Sequence, residues 1–260
     1  MPTKLGQNFL VNKDVVKKII KTAGLTPDDF VLEIGPGKGI LTEELAKHEG
    51  KVIAVEIDKK LVNLLRNKLH NCKNVEIVKG DILKINLTKQ LTTNYLQRIN
   101  YKVIANLPYY ITSPIIRLFL EADNPPSEMI LMVQKEVAER IVAQPGKMSI
   151  LSVAVQYYAK PELLFTVGRE NFDPVPEVDS AVIKISNIKN QISKLESKEF
   201  FRIVRAGFCA KRKTLANNLT NSFHLGKYEV EEKIKKTGFL PNVRAQELSV
   251  ENWKKLAGLF

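Results

Sequence analysis

Asn106, Leu107, Pro108 and Tyr109 put a polar amide, a backbone carbonyl and an aromatic ring into four consecutive residues. Such a set suits a planar amine. The exocyclic N6 of adenine is a poor nucleophile because its lone pair is delocalised into the ring, so it must become pyramidal to attack a methyl group. Two acceptors lying out of the ring plane, the side-chain oxygen of Asn106 and the carbonyl of Leu107, draw its hydrogens into that geometry and face the positive charge that develops on nitrogen. The ring of Tyr109 can stack on the base, an interaction of roughly 1 to 3 kcal/mol. This chemistry needs no strong general base, and no histidine stands in the stretch. The bland alternative is that Pro108 merely ends a strand.

A second constellation lies at Phe30–Leu41, FVLEIGPGKGIL. Val31, Leu32 and Ile34 form a β-prone run, Gly35, Gly37 and Gly39 follow at every second position, and helix is expected from Leu41. Glycines in such a loop permit a sharp turn and close approach of a ligand. A dinucleotide fingerprint would have its third glycine at position 40, where this chain has Ile40. Glu33 argues further against a pyrophosphate, since a carboxylate repels phosphate but suits the ammonium group of an amino acid such as S-adenosylmethionine carries.

The elements that must position these residues alternate. A loop and a helix (13–23) lead to a strand ending at Ile34, then helix 41–48, strand 51–56, helix 58–70, strands 75–78 and 102–105, helix 112–122, strand 129–133 and helix 135–143. This order predicts a parallel sheet covered by helices, with ligands at the carboxyl ends of its strands. Gly35, Glu56, Asp81 and Asn106 should therefore converge. Glu56 can accept from ribose hydroxyls or stand as a solvent charge at its strand end, and Asp81 can accept from the adenine amine of a cofactor or, alternatively, from its own turn. Residues 144–158 are apolar without a readable period. Strands are expected near 163–167 and 180–186, and only helical patterns after Lys189.

Composition fits a soluble α/β body: 44% hydrophobic, 26% charged, and no apolar run long enough to span a bilayer. The start, MPTKLGQNFLV, lacks a signal-peptide apolar region, so a cytoplasmic location is expected. Cys72 and Cys209 are far apart and outside any metal-ligand spacing, and His48, His70 and His224 have no partner pattern, so no metal is expected. The net charge of +12 is uneven. Residues 25–186 hold 20 Lys+Arg against 20 Asp+Glu, whereas 1–24 hold 5 against 1 and 187–260 hold 15 against 7. Basic ends on a neutral body suit an acidic polymer bound across a catalytic face.

LGQNFL at 5–10, LEIGPGKGILT at 32–42, ANLPYYI at 105–111, NFDPVPEVDSAV at 171–182, KRKTLANNL at 211–219 and RAQELSVE at 244–251 resemble the ribosomal RNA small-subunit adenine N6,N6-dimethyltransferases. The likeness spans nearly the whole chain. It implies a Rossmann-like class I S-adenosylmethionine-dependent methyltransferase domain at 1–187 and a small all-helical RNA-binding domain at 188–260. By resemblance, Asn8 and Leu10 lie over the cofactor, Gly35 carries its methionine part, Glu56 the ribose and Asp81 the adenine. Asn106 serves both the methionine end and the substrate amine. Phe172 is implied as a second ring that sandwiches the flipped base with Tyr109; its own surroundings, just before Pro174 and Pro176, allow that role or a place in the core. The family usually has arginine where Lys211 stands, and lysine cannot make the same planar bidentate phosphate contact.

The expected activity is dimethylation of two adjacent adenosines in small-subunit (16S) ribosomal RNA during ribosome biogenesis. Its expected partner is a 30S-type pre-ribosomal particle, without membrane contact. With no oligomer signal visible, the chain is expected to be a monomer. Two other readings stand beside this one: a resistance methyltransferase acting on large-subunit RNA, and a non-catalytic assembly or transcription factor on the same fold. The Asn-Leu-Pro-Tyr form and the RAQELSVE ending favour the first reading over the resistance enzyme, and the full acceptor set argues against a scaffold.

Overall fold

The computed structural model describes residues 8–48, 50–85, 100–189 and 192–260. The chain forms two units, one of Met1–Ala138 with Lys160–Ile188 and one of Glu139–Ala159 with Lys189–Phe260. Residues 139–159, which a division at 187/188 counts with the sheet, thus pack with the C-terminal helices.

The first unit opens with a two-residue strand, β1 (Phe9–Leu10), inside the stretch read as loop. Asn12 then starts α1 (Lys13–Ala23) by accepting from the amides of Asp14 and Val15, and Gly24 ends it at φ +52°. Val16, Ile19 and Ile20 recur at helical spacing and are buried, so α1 lays one apolar face against the sheet core. After it come β2 (Phe30–Ile34), α2 (Ile40–Leu45), β3 (Lys51–Glu56), α3 (Lys59–Lys68), β4 (Val75–Lys79), β5 (Tyr101–Asn106), α4 (Thr112–Leu120), β6 (Glu128–Gln134), β7 (Lys160–Val167), β8 (Phe172–Asp173) and β9 (Ser180–Ser186). Helices α2, α3 and α4 are shorter than their patterns suggest. The apolar period continues past their ends, but Ala46, Leu69 and Glu121 already occupy the cap positions.

Seven strands make one sheet in the order β4-β3-β2-β5-β6-β9-β7. The first five run parallel, and β9 is antiparallel to both neighbours. Burial on both faces explains why β2 reads as a nearly unbroken apolar run and why all five of its residues are buried. The expected Rossmann-like α/β sheet is therefore present, and the order reverses beside β2, where β3 and β5 flank it. The short pair β1 and β8 forms a separate antiparallel ribbon, with Phe9 opposite Asp173 and Leu10 opposite Phe172.

The second unit is helical. It starts within a helix running Lys135–Ile141 (α5) and continues with α6 (Ile150–Tyr158), α7 (Lys194–Gly207), α8 (Leu215–Phe223), α9 (Lys227–Lys236) and α10 (Val250–Ala257). Its core is aromatic. Tyr157 stacks on Phe200 at 4.2 Å and meets Phe201 edge-on, and Phe208 stacks on the fully buried Trp253. Asn218, buried on α8, donates to the carbonyls of Gly207 (2.6 Å) and Ala210 (3.1 Å), which ties down the turn presenting exposed Lys211, Arg212 and Lys213.

Candidate functional site

A cleft of about 700 Å³, open mouth included, lies at the carboxyl ends of β2 and β5 and is lined by Asn8 to Leu10, Glu33, Gly35 to Lys38, Ile40, Leu41 and Asn106 to Tyr109. The glycine loop forms one wall because Gly35, Gly37 and Gly39 all have positive φ, at +64°, +59° and +86°. A side chain at Gly37 would also collide with Phe9, whose ring lies 2.9 Å from where its Cβ would be. The β1–β8 ribbon therefore holds Phe9 directly on the glycine loop. In the sequence Phe9 is only one residue of LGQNFL, since its role depends on a pairing some 160 residues away.

Glu56 is 1% exposed and uses both oxygens to shape the loop end, accepting from the amide of Gly37 at 3.2 Å and of Asp58 at 2.9 Å. It borders the cleft through Gly37 without being part of the lining. Asp81 stands apart from the lining. Its carboxylate accepts from the amide of Leu83 at 3.1 Å and pairs loosely with Lys84 at 3.6 Å, so in this structure it caps its own turn.

Glu33 has the opposite character. It is 1% exposed, and among the described residues its Oε2 has no hydrogen-bond partner. Burial raises its pKa to about 8, the Thr42 hydroxyl opposes the shift, and the charge of Glu56 adds to it. A buried carboxyl with one oxygen left over in a cleft is a ready partner for a cation.

Asn106 and Leu107 leave β5 with unspent acceptors. The Leu107 amide is fixed by Met132 at 3.1 Å, while among the described residues neither the Asn106 carboxamide nor the Leu107 carbonyl is engaged. Tyr109 follows in a short 3₁₀ turn (Tyr109–Ile111), half-buried, with its hydroxyl 2.9 Å from Oγ of Ser180. Ser180 falls inside the NFDPVPEVDSAV stretch at the head of β9, but nothing in that stretch says which side chain it meets.

The structure thus brings together Asn8, Leu10, Gly35, Asn106, Leu107 and Tyr109, places Glu56 behind the loop, and sets Asp81 outside. Phe172 departs most from its expected place. Its ring is 2% exposed and belongs to the apolar cluster with Leu10, Val16 and Ile104, because pairing with Leu10 turns it into the core. As it stands it backs the cleft wall and offers no free face to a base. Among the described residues, no group of three His, Cys, Asp or Glu side chains is arranged to hold a metal ion, and no helix is long and apolar enough to cross a membrane.

Known proteins resemble this chain. A relative from Dehalococcoides mccartyi strain 195, named ribosomal RNA small subunit methyltransferase A, is 46% identical over 257 residues, covering 98% of this chain and 87% of its own. The crystal structure of a dimethyladenosine transferase from Plasmodium falciparum superposes with a TM-score of 0.78 at 26% identity, over 95% of each chain. That of the 23S rRNA methyltransferase ErmE superposes with a TM-score of 0.76 at 28% identity, over 97% of this chain and 99% of the other. The family model described as ribosomal RNA adenine dimethylase matches residues 1–260, and with the strand-end acceptors and glycine loop already in place, the chain belongs to the ribosomal RNA adenine dimethylase family.

Proposed function

We propose that the chain transfers methyl groups from S-adenosylmethionine to N6 of two adjacent adenosines of small-subunit ribosomal RNA, yielding N6,N6-dimethyladenosine, and that it does so as a cytoplasmic monomer on a 30S-type pre-ribosomal particle. The observation that carries this reading is the pair of unspent acceptors, Asn106 Oδ1 and Leu107 O, in one cleft with the glycine loop and the Tyr109 ring.

The cleft fits the cofactor on its own evidence: Gly37 has no room for a side chain, and buried Glu33 keeps an unpaired oxygen. When bound, S-adenosylmethionine supplies an electrophilic methyl group on a sulfonium centre. Gly35, Asn8 and Leu10 would line its methionine end, and Glu33 would face the ammonium group. Glu56, already fixed by two amides, retains lone pairs for the ribose hydroxyls. Asp81 would take the adenine amine on giving up Lys84, an exposed pair of little energetic weight.

On the substrate side, Asn106 and Leu107 accept the two N6 hydrogens and pull the nitrogen out of conjugation, with their dipoles set before the charge appears. Tyr109 stacks on the base and offsets part of the few kcal/mol spent on extracting it. After one methyl group N6 keeps a single hydrogen, so one acceptor loses its donor and stacking must carry more of the hold. With Phe172 buried, that burden falls on Tyr109. The exposed cations at 211–213 would meet the RNA backbone.

The test incubates the protein with labelled S-adenosylmethionine and unmodified small or large ribosomal subunits, then locates the modified base. Two adjacent dimethyladenosines in the small-subunit RNA are expected. Label confined to the large subunit would replace this reading with the resistance activity, and no label in either would leave a scaffold.

A further inference from the structure

Ser180 opens β9, whose sequence SAVIKIS is otherwise apolar through its first four residues, and it lies between β6 and β7 with no exposed surface. A buried hydroxyl is costly unless it is hydrogen-bonded, and alanine would occupy the same strand position without that cost. Among the described residues the one side-chain partner of Ser180 is Tyr109, at 2.9 Å between the two oxygens. The anchor itself is firmly held. The carbonyl of the preceding residue, Asp179, accepts from the amide of Lys135 at 3.0 Å, and its carboxylate accepts from the amide of Arg169 at 3.1 Å.

Tyr109 has no such support of its own. It sits half-buried in a three-residue turn outside the sheet, where no ladder fixes which staggered setting its ring takes. Pinning the far end of the ring to a fixed strand removes that freedom. Burial holds the Tyr109 hydroxyl above its ordinary pKa; the Ser180 bond opposes this and the Asp179 charge adds to it, so the group stays an O–H that can keep the bond.

We propose that Ser180 is a positioning residue: its hydroxyl fixes the plane of the Tyr109 ring and so decides how well a singly methylated base is held for the second methyl transfer. The inference rests on the methyltransferase reading above. It adds to that reading a residue that touches neither base nor cofactor but governs how far the reaction runs.

The test compares wild type, Ser180→Ala, Tyr109→Phe and the double variant on unmodified small subunits. Turnover, the ratio of dimethyl- to monomethyladenosine by nucleoside mass spectrometry, and S-adenosylmethionine affinity by calorimetry are measured for each. A bond between neutral groups is worth roughly a three- to tenfold change. Each single variant should lose about that much turnover, give a lower dimethyl ratio and keep its cofactor affinity. The double variant should be no worse than either single one, because both remove the same bond. Wild-type behaviour in either single variant, additive losses in the double, or a parallel loss of cofactor affinity would overturn the proposal. If wild type itself labels neither subunit, the functional reading falls first and the positioning role with it. If wild type dimethylates and the variants do so equally, the positioning role alone falls.

Discussion

The two ends of the central sheet treat buried charge in opposite ways. At the amino end Lys102, at the start of β5, donates to the carbonyls of Ala23 and Gly24 at 3.0 and 3.3 Å and to Asp29 at 3.1 Å. Glu128 lies 3.7 Å away and pairs in turn with Lys184 at 2.6 Å. Every charge there has a partner, and the C-terminus of α1 is tied to the sheet as a result. At the carboxyl end, among the described residues, Glu33 on the neighbouring β2 is left with an unpaired oxygen and Asn106 at the end of β5 with an unengaged amide. The strands are shared, so the contrast is one of purpose: an acceptor already satisfied inside the protein has nothing left to offer a ligand. Stability is gathered at one end and withheld at the other.

That contrast can be broken most forcefully at Asn106. We predict that Asn106→Ala lowers turnover a hundred- to a thousandfold, the usual cost of a lost preorganised dipole. Stability should change by no more than about 0.5 kcal/mol, because no internal bond is lost. Turnover on small subunits together with a denaturant titration checks both halves, and an active variant would remove Asn106 from the chemistry.

The converse holds at Lys102. Lys102→Met leaves Asp29 and Glu128 mostly buried beside an apolar side chain, which should destabilise the fold by about 3 kcal/mol. Methyl transfer per folded molecule should be unchanged, since the site lies at the other end of the strands. Urea unfolding gives the first quantity and activity at low temperature the second. A variant as stable as wild type would show that the network is ornamental.

The smallest effect is in pH dependence, where the two ends pull in opposite directions. Asp29 is held below the ordinary carboxylate range, with the Thr26 amide and Lys102 outweighing its burial. Its contribution is therefore present above its unfolded pKa and is lost as pH falls through the folded one. Glu33 is raised from 4.5 to about 8, so between those values the folded chain binds more protons than the unfolded chain, and stability declines as pH rises. A bound cation favours the ionised form, so S-adenosylmethionine should bind with proton release and more tightly toward pH 8. Melting curves and calorimetry across this range should show both trends in wild type and neither in Glu33→Gln. Identical slopes in the two proteins would mean that Glu33 does not titrate there.

Much of the site's frame was legible in the residue order. Three glycines at alternate positions after an apolar run can hardly be anything but a tight loop, and all three do take positive φ. The strand ends followed from the same alternation, and Asn106 and Gly35 meet as that rule requires. Less readable was the stretch before Tyr158, where apolar residues on nearly every side of α6 leave no period to detect; only its Ser149–Ser152 capping pair was a local signal. For Phe172 the residues alone allow a stacking ring or a core ring, and pairing with Leu10 turns it inward. A two-residue ribbon between segments so far apart leaves no trace in either one.

What the sequence by itself determined is the set of parts: loop, strand-end acceptors, a stacking ring and a basic helical tail, because each follows from local sterics, periodicity and charge. What only the tertiary structure decided is the state of those parts. The oxygen of Glu33 left without a partner among the described residues, the seating of Phe9 on Gly37 and the anchoring of Tyr109 by Ser180 all depend on which groups distant segments bring near. Desolvation and hydrogen bonding are properties of a neighbourhood, and in this chain the neighbourhood is assembled from residues more than 70 positions apart at Tyr109 and Ser180.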